Sequence, residues 1–220
     1  MDDSPAPRPP SPQGEAVLRA LLERRSTSPR RLQAPGPTQA ELRLMAAAAG
    51  RAPDHGGLRP WRFLQVEGAA RTALGALCAH ALAEEDPDAT AEMCDRERQK
   101  IATGPCLVAV LADLRPDLPE IPVSEQQASV GAAIHGFLLA AAALGYGGIM
   151  LSGRRVRRPA LRAALGLGPD RHLVGFLTLG RPEDRPGRAA RGVQPATGTA
   201  ADGIGLAETA DDLTRLLSGS

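Results

Sequence analysis

Aromatic side chains are nearly missing from this chain: its 220 residues include three Phe, one Tyr and one Trp. A core without rings must be filled by aliphatic side chains and closely packed alanine, which makes Trp61 and Tyr146 rare choices; Trp61 reads as a packing anchor. Lysine is scarcer still, since Lys100 is the only one among 26 basic residues. With that much Arg, Ala, Gly and Pro the composition follows GC-rich codon usage, and a single Arg carries less weight as a sign of function. Cys78, Cys94 and Cys106 are odd in number and lack C-x-x-C spacing, and the four histidines are scattered, so neither a disulfide framework nor a metal site is indicated. A net charge of +1 provides no global field to gather nucleic acid or an acidic membrane. No N-terminal segment joins basic residues, an apolar run and a cleavage signal, so the reduced cytoplasm is the expected compartment. The long uncharged run Ala128–Leu144 is mostly Ala with Gly, Ser and His, short and weakly apolar for a bilayer.

That run is the element around which the chain is organised. From Glu125 to Leu144 it predicts a helix, apolar on every face and so buried on every face. Small residues outnumber large ones, which lets another helix backbone approach and suits a homodimer axis, with Gly136 a candidate for the close crossing. Gly145-Tyr146-Gly147-Gly148 ends the helix, and the apolar strand Ile149-Met150-Leu151 follows.

Residues 1–13 hold five prolines and almost nothing apolar, which predicts a disordered tail. From Gly14, Val17, Leu18, Leu21 and Leu22 fall at helical spacing, and the helix ends at Glu23-Arg24-Arg25-Ser26. Thr38 with Glu41 three residues later marks a capping box opening a second helix to about Arg51. A Pro- and Gly-rich loop spans Ala52–Trp61, a strand Arg62–Glu67, and a helix Gly68–Ala83. The charge-rich stretch Asp88–Thr103 predicts a helix that is a solvated decoration or a lid. Pro105–Ala112 is a continuous apolar run, hence a central strand covered on both faces. After Gly153 come Arg154-Arg155-Val156-Arg157-Arg158, a short helix Pro159–Leu165 and a last strand His172–Leu179. Residues 183–220 read as an extended arm with a weak helix near its end.

Arg24, Arg25 and Ser26 put two guanidinium forks and a hydroxyl within three residues. That set suits a terminal phosphate, although basic residues at a helix C-terminus also complement its dipole. Further on come Arg51-Ala-Pro-Asp-His55, Arg59-Pro60-Trp61-Arg62-Phe63, the small-residue helix entered through Glu125-Gln126, the Gly147-Gly148 turn, and the stretch from Val174 to Pro182. In that order, over about residues 15–182, these resemble the nitroreductase family of FMN-dependent oxidoreductases, most of all its small NAD(P)H nitroreductase branch.

The resemblance implies an α+β sandwich with a mainly antiparallel sheet wrapped by helices, and a homodimer sharing its flavin sites. It implies an FMN phosphate and ribityl tail held by Arg24, Arg25 and Ser26. Arg51 and His55 would reach flavin from the partner subunit, and Met150, Leu151 and Ser152 would line its ring. NADH or NADPH would donate hydride and a small-molecule acceptor would take it, without a catalytic side chain. No Gly-x-Gly-x-x-Gly follows a strand, consistent with alternating use of one pocket. Relatives often place an aromatic and a basic residue where this chain has Met150 and Leu151, and Gln where it has Arg59. The first departure motivates a second reading, a non-catalytic flavin- or ligand-binding homodimer. Nucleic-acid binding through the Arg154–Arg158 run is disfavoured by the near-neutral charge and the lack of interleaved aromatics.

Overall fold

A computed structural model of the chain describes residues 10–183. Six helices wrap one antiparallel sheet. The first, α1 (Pro12–Glu23), is capped by Ser11, whose hydroxyl accepts from the Gly14 N–H at 3.1 Å, with Pro12 in the first turn where its missing N–H costs nothing. The expected tail of residues 1–13 is therefore two residues too long, because the Ser-Pro pair starts the helix. Residues 1–9, and the arm and terminal helix expected within 184–220, lie outside the described residues.

After β1 (Leu32–Gln33), α2 (Gln39–Ala49) opens with the predicted capping box: Thr38 Oγ1 accepts from the Glu41 N–H and the Glu41 carboxylate accepts from the Thr38 N–H. Then come β2 (Trp61–Gln65), α3 (Gly68–Glu85), α4 (Ala91–Ala102), β3 (Cys106–Asp113), α5 (Val123–Ala143), β4 (Gly147–Leu151), α6 (Pro159–Ala164) and β5 (Arg171–Pro182). The sheet order is β1-β5-β3-β2, with β4 also on β5, and every ladder is antiparallel. This is the expected α+β sandwich.

Period-two alternation along β3 decides its two sides. Cys106, Val108, Val110 and Ala112 face α2 and α5 together with buried Trp61 and Phe137. Leu107 and Ala109 face α3, α4 and α6, where Cys78, Ile101 and Leu161 are buried. Burial in these two layers pushes the thiols of Cys78 and Cys106 up to about 11, so neither is a thiolate at neutral pH.

Only part of α5 is covered. Val130, Ala133, Ile134, Phe137 and Ala141 are buried, whereas Gln127, Gly131, His135 and Ala142 stand exposed. The expectation of burial on every face is thus met on one side alone. Gly136 is at the crossing with α2, where an added Cβ would stand 3.3 Å from the Ala48 carbonyl oxygen, and not on the open face. Helix α1 buries no residue: Val17 and Leu22 are 57% and 62% exposed.

The charge-rich α4 is not simply decoration. It packs on α3, and its Glu97 is buried beside Arg155, whose Nε donates to Glu97 Oε2 at 2.6 Å while Lys100 Nζ donates to Oε1 at 2.7 Å. Burial alone would raise the Glu97 carboxyl, but the bonds from Arg155 and Lys100 outweigh it and hold its pKa below the ordinary glutamate value. A depressed folded-state pKa gives stability that is present above the unfolded value and lost as pH falls through the folded one.

Two measurements follow from this packing. Glu97→Gln strands Arg155 in a site 10% exposed, and breaking a buried pair in this way costs about 3–5 kcal/mol near neutrality. In urea titrations the gap between wild type and variant should narrow as pH falls below about 4, the unfolded carboxylate range. At Gly175 a Cβ would meet the Leu151 carbonyl oxygen at 2.7 Å. Gly175→Ala should therefore destabilise the fold by about 1–3 kcal/mol of overpacking, read as a lower urea midpoint with m unchanged.

Candidate functional site

Helix α5 ends in a Schellman arrangement. Gly145 takes φ 77, its N–H donates to the Ala142 carbonyl at 3.0 Å, and the Tyr146 N–H donates to the Ala141 carbonyl at 2.8 Å. Arg181 Nη1 donates to the carbonyls of Leu144 and Gly145 at 3.0 and 3.1 Å, satisfying helix-end acceptors. The same guanidinium lies 3.9 Å from the Tyr146 ring centroid and donates to its hydroxyl, which donates to Glu41 Oε2 at 2.9 Å. The starts of α2 and β4 and the end of β5 are thereby tied together.

Immediately beyond, Gly147 and Gly148 let neighbouring side chains come close to the backbone. A Cβ on Gly147 would stand 3.0 Å from Thr27 Oγ1 and 2.9 Å from Leu32, and one on Gly148 would stand 2.7 Å from Leu179. Ser26 makes a parallel bridge to Gly148, and the Thr27 N–H donates to the Gly148 carbonyl at 3.0 Å. Arg24, Arg25 and Ser26 are thus brought to the start of β4, and neither arginine has an ion-pair partner among the described residues.

Because Gly148 directs its carbonyl away from β5, alternation makes Met150 do the same. Its N–H and C=O lie on the edge of β4 that no described strand covers. Ser152 is about 13 Å along from Gly148, at roughly 3.3 Å per residue. The Met150 and Ser152 side chains enter a cavity of about 900 Å³, walled by Val130 and Ile134 from α5, Arg162 from α6 and His172 from β5. Leu151 points to the other face, opposite Phe176. Arg162 Nη1 is 3.3 Å from His172 Nδ1. An arginine can only donate, so in this contact Nδ1 is on the accepting side.

Arg51 and His55 are not among the residues lining this cavity. The His55 Nδ1 pairs with Glu125 Oε2 at 3.0 Å, at the start of α5, while the loop is braced by the Arg59 N–H donating to Asp54 Oδ2 at 2.6 Å. Some 18 residues of helix, about 27 Å, separate that end from the Ser26–Gly148 contact. Within one chain the expected site residues therefore separate: Arg24, Arg25, Ser26, Met150 and Ser152 lie around β4, His55 is at the far end of α5, and Arg51 follows the end of α2, which crosses α5 at Gly136. Sequence reasoning passed over Arg181, Arg162 and His172. The first belongs to a stretch noted for its order, but nothing local in the chain marks the other two as cavity residues.

The family model for the Nitroreductase family matches residues 21–181. The chain belongs to that family. It is 35% identical to Escherichia coli K12 "Putative NAD(P)H nitroreductase YdjA" over 167 residues, 76% of this chain and 88% of the relative. To the Haemophilus influenzae "Putative NAD(P)H nitroreductase" it is 31% identical over 175 residues, 80% of this chain and 93% of that one. Among solved structures, a nitroreductase-like protein from Bacillus cereus superposes with TM-score 0.71 at 22% identity, covering 88% of this chain and 96% of its own. A Desulfovibrio desulfuricans protein described as a "putative nitroreductase in complex with fmn" gives 0.57 at 26% identity, covering 79% and 91%. Among the described residues no helix is long and apolar enough to cross a membrane.

Proposed function

We propose that the chain is an FMN-dependent oxidoreductase that uses NADH or NADPH to reduce nitroaromatic, quinone or related small acceptors through one shared pocket. The observation that carries this reading is the uncovered edge of β4, with Arg24, Arg25 and Ser26 assembled at its start. The FMN complex of the Desulfovibrio relative and the NAD(P)H in the names of the bacterial relatives support it.

The residues fit the cofactor. Two guanidiniums and a hydroxyl offer charge-assisted donors to a phosphate, the Met150 main chain offers one donor and one acceptor to a ring edge, and Val130 and Ile134 provide an apolar wall. FMN held there would supply the two-electron chemistry, taking hydride from the nicotinamide and handing it to the acceptor. The chain's part is to grip and orient the phosphate end, fix the strand edge through the Schellman turn, and keep water from the walled side of the pocket. His172 adds a polar ring to the wall of the same cavity. The non-catalytic reading rested on Met150 and Leu151 replacing an aromatic and a basic side chain, and main-chain recognition at Met150 weakens that objection.

The reading includes a homodimer, supported by the bare apolar side of α1, the open side of α5 and the separation of Arg51 and His55 from the β4 group. A second copy would bring Arg51 and His55 to the flavin and cover both apolar surfaces. The three free thiols suit a reducing compartment, so the enzyme is assigned to the cytoplasm.

Purified protein should be yellow and should bleach anaerobically on addition of NAD(P)H; a colourless protein that takes up no FMN would overturn the flavin assignment. Arg24→Ala removes a charge-assisted bond of about 1.5–3 kcal/mol, so FMN affinity should fall roughly ten- to a hundredfold. Riboflavin, lacking the phosphate, should bind wild type and variant alike. Sedimentation at micromolar concentration should give a dimer, and Leu18→Glu with Leu22→Glu, both on the uncovered side of α1, should shift it to monomer.

A further inference from the structure

The cavity beside Met150 carries a charge that the proposed flavin grip does not use. Arg157, Arg162 and His172 are among its walls, and among the described residues no Asp or Glu lines it. Elsewhere on the protein arginines are matched by acids. Arg171 and Arg62 share Asp113, and Arg115 faces Asp117. In the arginine-lined pocket between α3, α4 and the turn after β4, Arg155 and Arg158 are taken by Glu97 and Glu85. Arg157 and Arg162 have no ion-pair partner among the described residues. The phosphate grip of Arg24 and Arg25 lies at the other end of β4, so these two guanidiniums are left over.

Arg162 is the better placed of the two. It stands half-buried in the last turn of α6, where Nη2 donates to the Gly168 carbonyl at 3.0 Å and Nη1 to His172 Nδ1 at 3.3 Å. Those two bonds fix the plane of the fork. Its remaining N–H groups have no acceptor among the described residues. A guanidinium held on one side and unpaired on the other is preorganised for a planar anion, because two parallel N–H bonds match the two oxygens of a carboxylate. Arg157 adds charge from the exposed turn after β4.

The rest of the cavity suits a ring. Val130 and Ile134 give it an apolar wall on the α5 side. Along β5, His172 is about 13 Å from Phe176, the partner of Leu151, at roughly 3.3 Å per residue, so the basic end is set apart from the β4 edge with room between them. We infer that the acceptor taken by this cavity is an aromatic acid, with its ring against Val130 and Ile134, its reducible group at the Met150 edge and its carboxylate on Arg162 with Arg157 adding charge. A neutral acceptor of the same shape leaves the half-buried fork unpaired, and the site selects against it for that reason. This rests on the flavin reading above for the supply of electrons, but the carboxylate contact itself does not require flavin to be present.

The test has a binding arm and a kinetic arm, both on the full chain as purified. In titration calorimetry p-nitrobenzoate should bind about tenfold more tightly than p-nitrobenzamide, a neutral acceptor of the same shape. Arg162→Ala should erase most of that ratio, and Arg162→Lys, which keeps the charge without the fork, should retain part of it. In steady-state assays the KM for the amide divided by that for the acid should exceed one in wild type and fall about tenfold in Arg162→Ala. Equal binding of acid and amide by wild type overturns the inference without any variant having to fold. A preference for the acid that survives Arg162→Ala also overturns it. So does a rise in the KM for the nicotinamide donor as large as that for the acid, since the guanidinium would then serve the donor. A protein that prefers the acid but takes up no flavin defeats the flavin reading and leaves the carboxylate contact standing. One that bleaches with NAD(P)H yet binds acid and amide alike keeps the flavin reading and loses this one.

Discussion

Two absent Cβ atoms set the geometry on which the rest of the site depends. Gly147 and Gly148 are flanked so closely by Thr27, Leu32, Leu138 and Leu179 that a Cβ at either would push those side chains aside. With both glycines the segment after α1 lies against the start of β4 and Ser26 bridges to Gly148. The arginines at the end of α1 are far in sequence from the strand they serve, and this contact turns that separation into adjacency. The Arg181–Tyr146–Glu41 chain of bonds fixes the approach from the other side, so the turn is held at both its helical and its strand end.

The sandwich then separates two tasks. On one side of the sheet, α2 and α5 form an apolar layer that ends in the cavity beside Met150; on the other, α3, α4 and α6 enclose a buried ion pair and an arginine-lined pocket. Glu97 is the pivot of that second layer. Its carboxylate anchors α4 to the turn after β4 and withdraws Arg155 from solvent, leaving Arg154 and Arg157 on either side of it facing outward. Continuous apolar sequence in β3 makes this division possible, because both of its faces are covered.

Much of this was legible in the chain. The apolar run of β3, the capping box at Thr38 and Glu41 and the glycine stop after α5 rest on local chemistry, whereas the family and the sandwich came from the resemblance that the ordered Arg-, Pro- and Gly-bearing segments carry. What was misread had tertiary causes. β1 is two residues long and exists only because β5 pairs with it. Glu97 sits in a stretch that is charged overall, and nothing nearby in sequence announces that Arg155, 58 residues away, neutralises it. The α1 start is a different case: Ser11-Pro12 is a legible cap, overlooked because the prolines before it suggested an unstructured tail. The open side of α5 shows the limit of composition, since a helix apolar all round can still lack cover from its own chain.

The uncovered edge of β4 has one more consequence. Met150 offers its amide and carbonyl on that edge, while its thioether enters the cavity. If the main chain grips the cofactor, the two jobs of this position reside in different atoms, and only one set is encoded by the codon. Residue 150 can then vary in size, aromaticity or charge across a lineage and retune which acceptor fits, while every variant inherits the same backbone contacts. The shape of the strand, protected by the glycines before it, is the inherited part, and the side chain is the adjustable one.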